Sequence, residues 1–144
     1  MNTKYSLTFE IQMNRKIAMS EYIQDLNDRQ TIQRIWEKAI IVEGYNKDMY
    51  RQDFAGAWIS REAHDDTDNL MGWEIDHIFP IAKGGDNHID NLRPMNWRNN
   101  RSKGDDYPRY TADITSDDNK NIEKQSICTV STKLQNVLTN LYSK

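Results

Sequence analysis

The chain has 144 residues, of which 37% are hydrophobic and 28% are charged, and its formal net charge is −3. This length and balance predict one globular domain over residues 1–144 and exclude a disordered chain. No apolar run is long enough to span a membrane, and a single cysteine, Cys128, excludes both an internal disulfide and a cysteine-bound structural zinc, so a reducing, cytoplasmic setting is expected.

The first predicted helix is defined by apolar residues that recur on one face: Ile32, Ile35, Trp36, Ala39 and Ile40. Asp28 is its expected N-cap and Gly44 its expected end. With SEYIQDL, which predicts an extra turn or a short helix behind Ser20, it makes a helical part over about residues 20–44. DFAGAWISRE then predicts a short strand, and HDDTDN a polar loop.

Residues 73–106 predict the order strand, loop, strand, helix. GWEIDHIFP alternates with a period of two, so Asp76 and His77 fall on opposite faces of a strand that ends at Pro80. AKGGDN is turn material, in which Gly84 and Gly85 are free to take positive φ. NLRPM predicts a very short second strand. NWRNNRSKG predicts a helix, with residue 96 as its N-cap and residue 104 just past its end.

The amides of this last helix are unusual, because asparagine is a mediocre helix former. Asn96, Asn100 and Lys103 share one face, and Asn99 stands directly beside Asn100. Amide and carboxylate oxygens are ligands for hard divalent cations. Asp76 with Asn100 therefore predicts a two-ligand site completed by water and phosphate oxygens, an arrangement that Mg²⁺ prefers.

The C-terminal part, over about residues 110–142, predicts a β-hairpin and a helix. YTADIT and KQSICTV alternate around the turn-rich SDDNKN. The helix begins near Ser131 and carries one apolar stripe, formed by Leu134, Val137, Leu138, Leu141 and Tyr142. Core packing is the favoured role of this stripe, and a dimer seam is the alternative.

IDH, followed by IDNL and NNRSKGDD, resembles the HNH endonuclease family, whose fold is the ββα-metal finger. The matching residues are His77, Asn91 and Asn100, an HNN variant, within a core at about 73–106 and with a weaker echo in YRQDFAGAWISR. Paired zinc-binding cysteines, present in many relatives, are missing. The resemblance implies an α+β fold, with a ββα-metal (HNH) finger core, flanking helices and a C-terminal hairpin plus helix.

The resemblance also implies a metal-dependent DNA endonuclease. His77 would be the general base for the attacking water, and Asn91 would tie the Gly-Gly loop and fix the histidine. Asp76 and Asn100 would hold one divalent ion, Mg²⁺ or alternatively Mn²⁺, against the scissile phosphate. Cleavage would leave a 5′-phosphate and a 3′-hydroxyl.

Three cations near the motif, Arg98, Arg101 and Lys103, are the expected contacts to flanking phosphates, with a solvated helix face as the alternative. The expected partner is DNA, with RNA as an alternative, and no membrane. A duplex break needs two active sites or two visits, so a homodimer or a guiding partner protein is a further expectation.

Two other functions stay open. The chain could be a nucleic-acid-binding protein that keeps the HNH fold without cleavage, or a structural domain that uses its asparagines as caps. The intact set of Asp76, His77 and Asn100 favours the nuclease, because a binder needs no general base. Whether His88 or Glu74 assists the metal is also open.

Overall fold

The computed structural model describes residues 8–12 and 21–143. The fold is α+β, as predicted, and residues 8–12 are helical. The further helices and strands are α1 (Arg29–Trp36), β1 (Tyr50–Gln52), β2 (Trp58–Ser60), β3 (Trp73–His77), β4 (Leu92–Asn96), α2 (Trp97–Lys103), β5 (Arg109–Asp117), β6 (Lys120–Thr129) and α3 (Thr132–Tyr142). The described strands pair in order as three antiparallel two-stranded sheets, β1 with β2, β3 with β4 and β5 with β6.

Helix α1 begins where the sequence predicts and ends earlier. The Asp28 side chain accepts a hydrogen bond from the backbone N–H of Thr31, which caps the first turn. The helix ends at Trp36 and not near Gly44. The reason is that the Arg51 guanidinium donates hydrogen bonds to the carbonyls of Glu37 and Ala39 at 3.0 and 3.4 Å, in place of the N–H groups of a further helical turn. The residues after Trp36 therefore leave the helix, which corrects the predicted helical part over 20–44.

The chain beyond α1 forms a strand that the sequence pattern did not indicate. Ile40 makes an isolated antiparallel bridge with Gln52, and β1 carries Gln52 into its pairing with Trp58 of β2. The predicted turn at SEYIQDL lies partly outside the described residues, and Tyr22 within it bridges His88.

Strands β3 and β4 form a hairpin whose register pairs Asp76 with Arg93 and His77 with Leu92. Two short 3₁₀ turns, Ile81–Lys83 and Ile89–Asn91, lie in the connection. Helix α2 follows β4 without a gap, so the strand, loop, strand, helix order is confirmed.

The two neighbouring glycines in this connection, Gly84 and Gly85, are required for two different physical reasons. Gly84 has φ +107° and ends the first 3₁₀ turn, as predicted. Gly85 is not among the residues with positive φ, so it does not use the conformational freedom that the sequence allows there. A Cβ atom at Gly85 would lie 1.9 Å from the carbonyl oxygen of Phe79, and this close backbone approach is what requires glycine.

The C-terminal hairpin and helix are present where predicted, with longer strands. Strands β5 and β6 continue into SDDNKN, so that the turn is reduced to Asp118 and the residue after it. Ser131 caps α3, and Leu138 of α3 is buried, so the helix stripe packs on the core. Tyr142 joins this helix to the β3–β4 loop by donating a hydrogen bond to Asp86 at 2.6 Å.

The β3–β4 hairpin is held between two apolar clusters. On one side Trp73 and Leu92 pack with Ile35 and Trp36 of α1. The second cluster contains Ile78 and Met95 of the hairpin region and residues of β5 and α3: Tyr110, Ala112 and Leu138. Trp73 is fully buried, and Trp97 donates its indole N–H to the carbonyl of Asn69.

Helix α2 is fixed by a buried hydrogen-bond network around Asp53. The carboxylate of Asp53 accepts hydrogen bonds at 2.9–3.1 Å from the backbone of Ala55, Ala57 and Asn96 and from the Asn99 side chain. Asn99 in turn bonds the backbone of Ile114 in β5. Because this network links β1–β2, α2 and β5, it supports the helix in a chain without zinc-binding cysteines.

Within the part of the chain that the structure describes, no helix combines the length and the hydropathy needed to cross a bilayer.

Candidate active site

The site is built from one face of β3 and one face of α2. Glu74 and Asp76 are two residues apart on β3 and point to the same face, and Asn100 and Lys103 are one helical turn apart on α2. Asn100 Nδ2 donates to Glu74 Oε1 at 3.3 Å, and Lys103 Nζ lies 3.1 Å from Asp76 Oδ1. These two contacts dock the helix on the strand.

An open cleft of about 390 Å³ lies beside this contact. Asp76, His77 and Asn100 all line it, although they come from different points along the chain. The alternation of β3 sends Asp76 and His77 to opposite faces, but His77 is the last residue of the strand, so the cleft at the strand end receives both. The remaining lining residues are Glu74, Ile75, Pro80, Ile81, Arg101, Gly104 and Asp105.

Asp76 is a buried carboxylate between two cations. Its exposed fraction is 3%, and its Oδ2 accepts from Arg93 Nε at 3.0 Å while its Oδ1 faces Lys103 Nζ. A buried carboxylate needs such partners, because the loss of hydration is costly. Arg93 is the cross-strand neighbour of Asp76 in the hairpin register, and the two-residue motif at 76–77 gave no sign of it.

His77 is half-buried, and its ring is held by a residue that sequence reasoning missed. Nε2 lies 2.7 Å from Oδ1 of Asn87, and the Asn87 amide nitrogen donates to the carbonyl of Ile23. Because an amide oxygen only accepts, Nε2 carries the proton and Nδ1 keeps a free lone pair. Nδ1 of His77 has no hydrogen-bond partner among the described residues.

Asn91 is fully buried and closes the connection between the two strands. Its Oδ1 accepts from the Phe79 N–H at 2.7 Å, and its Nδ2 donates to the carbonyls of Phe79 and Asp86. Its own carbonyl accepts from Ile78. Asn91 thus fixes the backbone that directly follows His77.

The Glu74 carboxylate orients both Asn100 and Arg101. It accepts from the Asn100 amide nitrogen and from Arg101 Nη2 at 3.2 Å, and this hydrogen bond raises the pKa of the Arg101 guanidinium. Oδ1 of Asn100 has no hydrogen-bond partner within residues 8–12 and 21–143. The amide oxygen is therefore available as a ligand.

The three predicted phosphate contacts have different environments. Arg98 pairs with the exposed Glu123 at 2.7 Å, and Arg101 is itself largely exposed beside Trp97. Lys103 has no exposed side-chain surface, and it donates to the carbonyl of His77 at 3.2 Å as well as facing Asp76. The prediction that Lys103 contacts phosphate from the surface is corrected, because its ammonium lies inside the protein.

His64 and His88 do not line this cleft, although His64 lines an adjoining cavity together with Glu74 and Asn100. His88 is buried, where its Nδ1 accepts from the N–H of Asp90 and its ring meets Tyr22 edge to face. His64 packs on the ring of Trp73 with 4.6 Å between centroids, and burial lowers its pKa. His88 is therefore not a neighbour of the proposed ligands.

Comparison with known proteins adds a family to this geometry. Residues 59–109 match the family model described as HNH endonuclease. This segment is therefore similar to the HNH endonuclease family. The HNH match contains the predicted core at 73–106 and starts in β2, at the upstream echo of the motif. Neither the curated proteins nor the solved structures gave a match.

HNH nucleases generally use a divalent metal ion, and the donors of the cleft fit one. Asp76 supplies a carboxylate and Asn100 a free amide oxygen, the hard ligands that Mg²⁺ and Mn²⁺ accept. No three His, Cys, Asp or Glu side chains converge as a metal site among residues 8–12 and 21–143. An ion in this HNH cleft would therefore rely on the amide and on water.

Proposed function

We propose that this chain is a metal-dependent endonuclease that hydrolyses phosphodiester bonds in DNA by a one-metal mechanism. The observation that carries the proposal is that Asp76, His77 and Asn100 line one open cleft, within the segment that matches the HNH family. The cleft is exposed, so a phosphodiester can enter it.

In this mechanism His77 acts as the general base. Its Nδ1 lone pair takes a proton from the attacking water, and the Asn87 hydrogen bond to Nε2 keeps the ring in the required tautomer. The water oxygen forms a bond to phosphorus while the bond from phosphorus to the 3′-oxygen breaks. The products are a 5′-phosphate and a 3′-hydroxyl, whose proton comes from solvent.

Asp76 and Asn100 would hold the divalent ion, with Mg²⁺ preferred and Mn²⁺ as an alternative. The chemistry that the ion supplies is stabilisation of negative charge on the phosphoryl and departing oxygens. Asn91 positions His77 through the backbone of the loop. Arg98 and Arg101 are the proposed contacts to flanking phosphates, which position a duplex without reading its bases.

One observation favours the alternative of a non-catalytic nucleic-acid-binding protein. Both carboxylate oxygens of Asp76 already face a cation, Arg93 on one side and Lys103 on the other. In a protein that never binds a metal ion, Asp76 would keep these two cationic partners permanently. The two functions differ in whether DNA is cut.

Supercoiled plasmid incubated with the protein separates the two functions. The first prediction is nicking with Mg²⁺ or Mn²⁺ and none with EDTA, and a loss of rate of about 10²- to 10⁴-fold in His77→Ala, the range that a general base supplies. Lys120→Ala, at an exposed position in β6, is the control, because Lys120 does not line the cleft. Equal cutting by His77→Ala, with folding checked by circular dichroism, would remove His77 as the base.

A further inference from the structure

Lys103 is the most deeply buried cation beside the proposed metal ligands. Its side chain has no exposed surface, and its Nζ is shared between Asp76 Oδ1 at 3.1 Å and the carbonyl oxygen of His77 at 3.2 Å. Phosphate contact from solvent cannot be its role. The ammonium acts on the two residues that the proposed mechanism needs most.

The charges around Asp76 do not balance. One carboxylate faces two cations at hydrogen-bond distance, Arg93 on Oδ2 and Lys103 on Oδ1. Arg93 Nη2 is buried and has no hydrogen-bond partner, and the guanidinium faces the rings of Phe54 and Tyr110 at 5.4 and 5.5 Å rather than a second carboxylate. A divalent ion at Asp76 would add to a cluster that is already cationic, and like charges repel strongly at low dielectric.

We infer that Lys103 is an internal counter-cation that competes with the divalent ion for Asp76. The inference rests on the proposed function and adds what regulates loading of the same site. Without an ion, the ammonium neutralises Oδ1 and holds Asp76 in place beside His77. When an ion binds, the ammonium gives up Oδ1 and keeps its hydrogen bond to the His77 carbonyl.

Lysine suits this exchange better than arginine would. Its charge is a compact ammonium on a flexible four-carbon stem, so the charge can shift while the stem stays packed. Arg93 holds the other carboxylate oxygen through Nε and needs no rearrangement. The consequence is that Lys103 raises the concentration of divalent ion at which the site fills.

Titration calorimetry with Mn²⁺ tests the inference without any measurement of activity. In Lys103→Met, which keeps the length of the side chain and removes its charge, Mn²⁺ should bind about tenfold more tightly or better. Lys120→Met is the matched control, because it removes the same charge from an exposed position in β6 and should leave the affinity unchanged. Lys103→Gln, which can still donate to the His77 carbonyl, is the second variant if the methionine does not fold.

Asn100→Ala separates failure of this inference from failure of the proposed function. If Asn100→Ala weakens Mn²⁺ binding but neither Lys103 variant strengthens it, the competition is overturned and the metal site stands. If Asn100→Ala has no effect on Mn²⁺ binding, or the wild-type chain binds no Mn²⁺, the metal site itself falls and the inference falls with it. Tighter binding in Lys103→Met with weaker binding in Asn100→Ala supports both.

Discussion

One hydrogen bond determines which nitrogen of His77 can act as a base. Asn87 Oδ1 lies 2.7 Å from Nε2, and Asn87 is itself anchored to the carbonyl of Ile23. Without that acceptor the two neutral tautomers of the imidazole would compete, and only the one with a free Nδ1 presents its lone pair as the mechanism requires. Asn87 is therefore a positioning residue in the proposed site.

Asn87→Ala should lower the single-turnover cleavage rate by about tenfold, which is less than the rate enhancement of about 10²- to 10⁴-fold that a general base contributes. The reason is that part of the His77 population would then carry its proton on Nδ1, the nitrogen that must accept the proton of the water. DNA affinity should not change, since Asn87 contacts His77 and is not one of the proposed DNA contacts. Asn119→Ala at the exposed tip of the β5–β6 hairpin is the control. A variant that loses affinity and keeps its rate would show that Asn87 acts on DNA binding.

Among the elements, helix α2 depends on a carboxylate that is not on it. Asp53 accepts four hydrogen bonds, two of them from Asn96 and Asn99 at the start of the helix, and burial raises its pKa. All four partners are N–H donors, which an ionised carboxylate accepts without conflict. The position of Asn100, one residue further along, follows from this anchor.

Asp53→Asn should reduce the free energy of unfolding by about 2–4 kcal/mol. The side-chain NH₂ group of the new asparagine would have to face N–H donors, and the charge-assisted hydrogen bonds to the carboxylate would be lost. Urea unfolding followed by circular dichroism measures this value. Asp48→Asn, at an exposed position, should leave it within about 0.5 kcal/mol of wild type. Equal losses in the two variants would mean that Asp53 is not the anchor.

The elements that could be predicted are those whose signals are local. The second helix carries its own N-cap, Asn96, and its stop, Gly104, and its bounds agree with the sequence. Helix α1 also carries its cap, Asp28, but its end depends on Arg51, fifteen residues after Trp36. No sequence pattern near Trp36 indicates that a guanidinium from later in the chain donates hydrogen bonds to the carbonyls that follow Trp36.

The same distinction applies to the candidate site. The spacing of Asn100 and Lys103 predicted that they share one face of α2. The motif predicted that Asp76 and His77 belong to one site, and both line the same cleft. Which face of α2 turns inward could not be read from spacing, because a polar helix face is usually solvated. The burial of Lys103 follows from its pairing with Asp76, 27 positions earlier, and that pairing requires the tertiary structure.

Over the whole molecule, the cations beside the cleft are largely neutralised. The net charge is −3, Lys103 and Arg93 face Asp76 inside, and Arg98 and Arg101 pair with glutamates at the surface. Each phosphate contact contributes about 0.9 to the slope of log K against log salt. DNA binding by this face should therefore be weak and only mildly dependent on salt.

Fluorescence anisotropy of a labelled duplex, with His77→Ala in EDTA to prevent cutting, measures this dependence. We expect a slope of about −2 or shallower, and in the added variant Glu123→Gln tighter binding with a slope steeper by about one unit, because Arg98 is then free for phosphate. Glu43→Gln removes the same charge from an exposed residue outside the described ion pairs and should change affinity less, with no steeper slope. A wild-type slope of about −5 or steeper would mean that cations other than Arg98 and Arg101 carry the DNA contact.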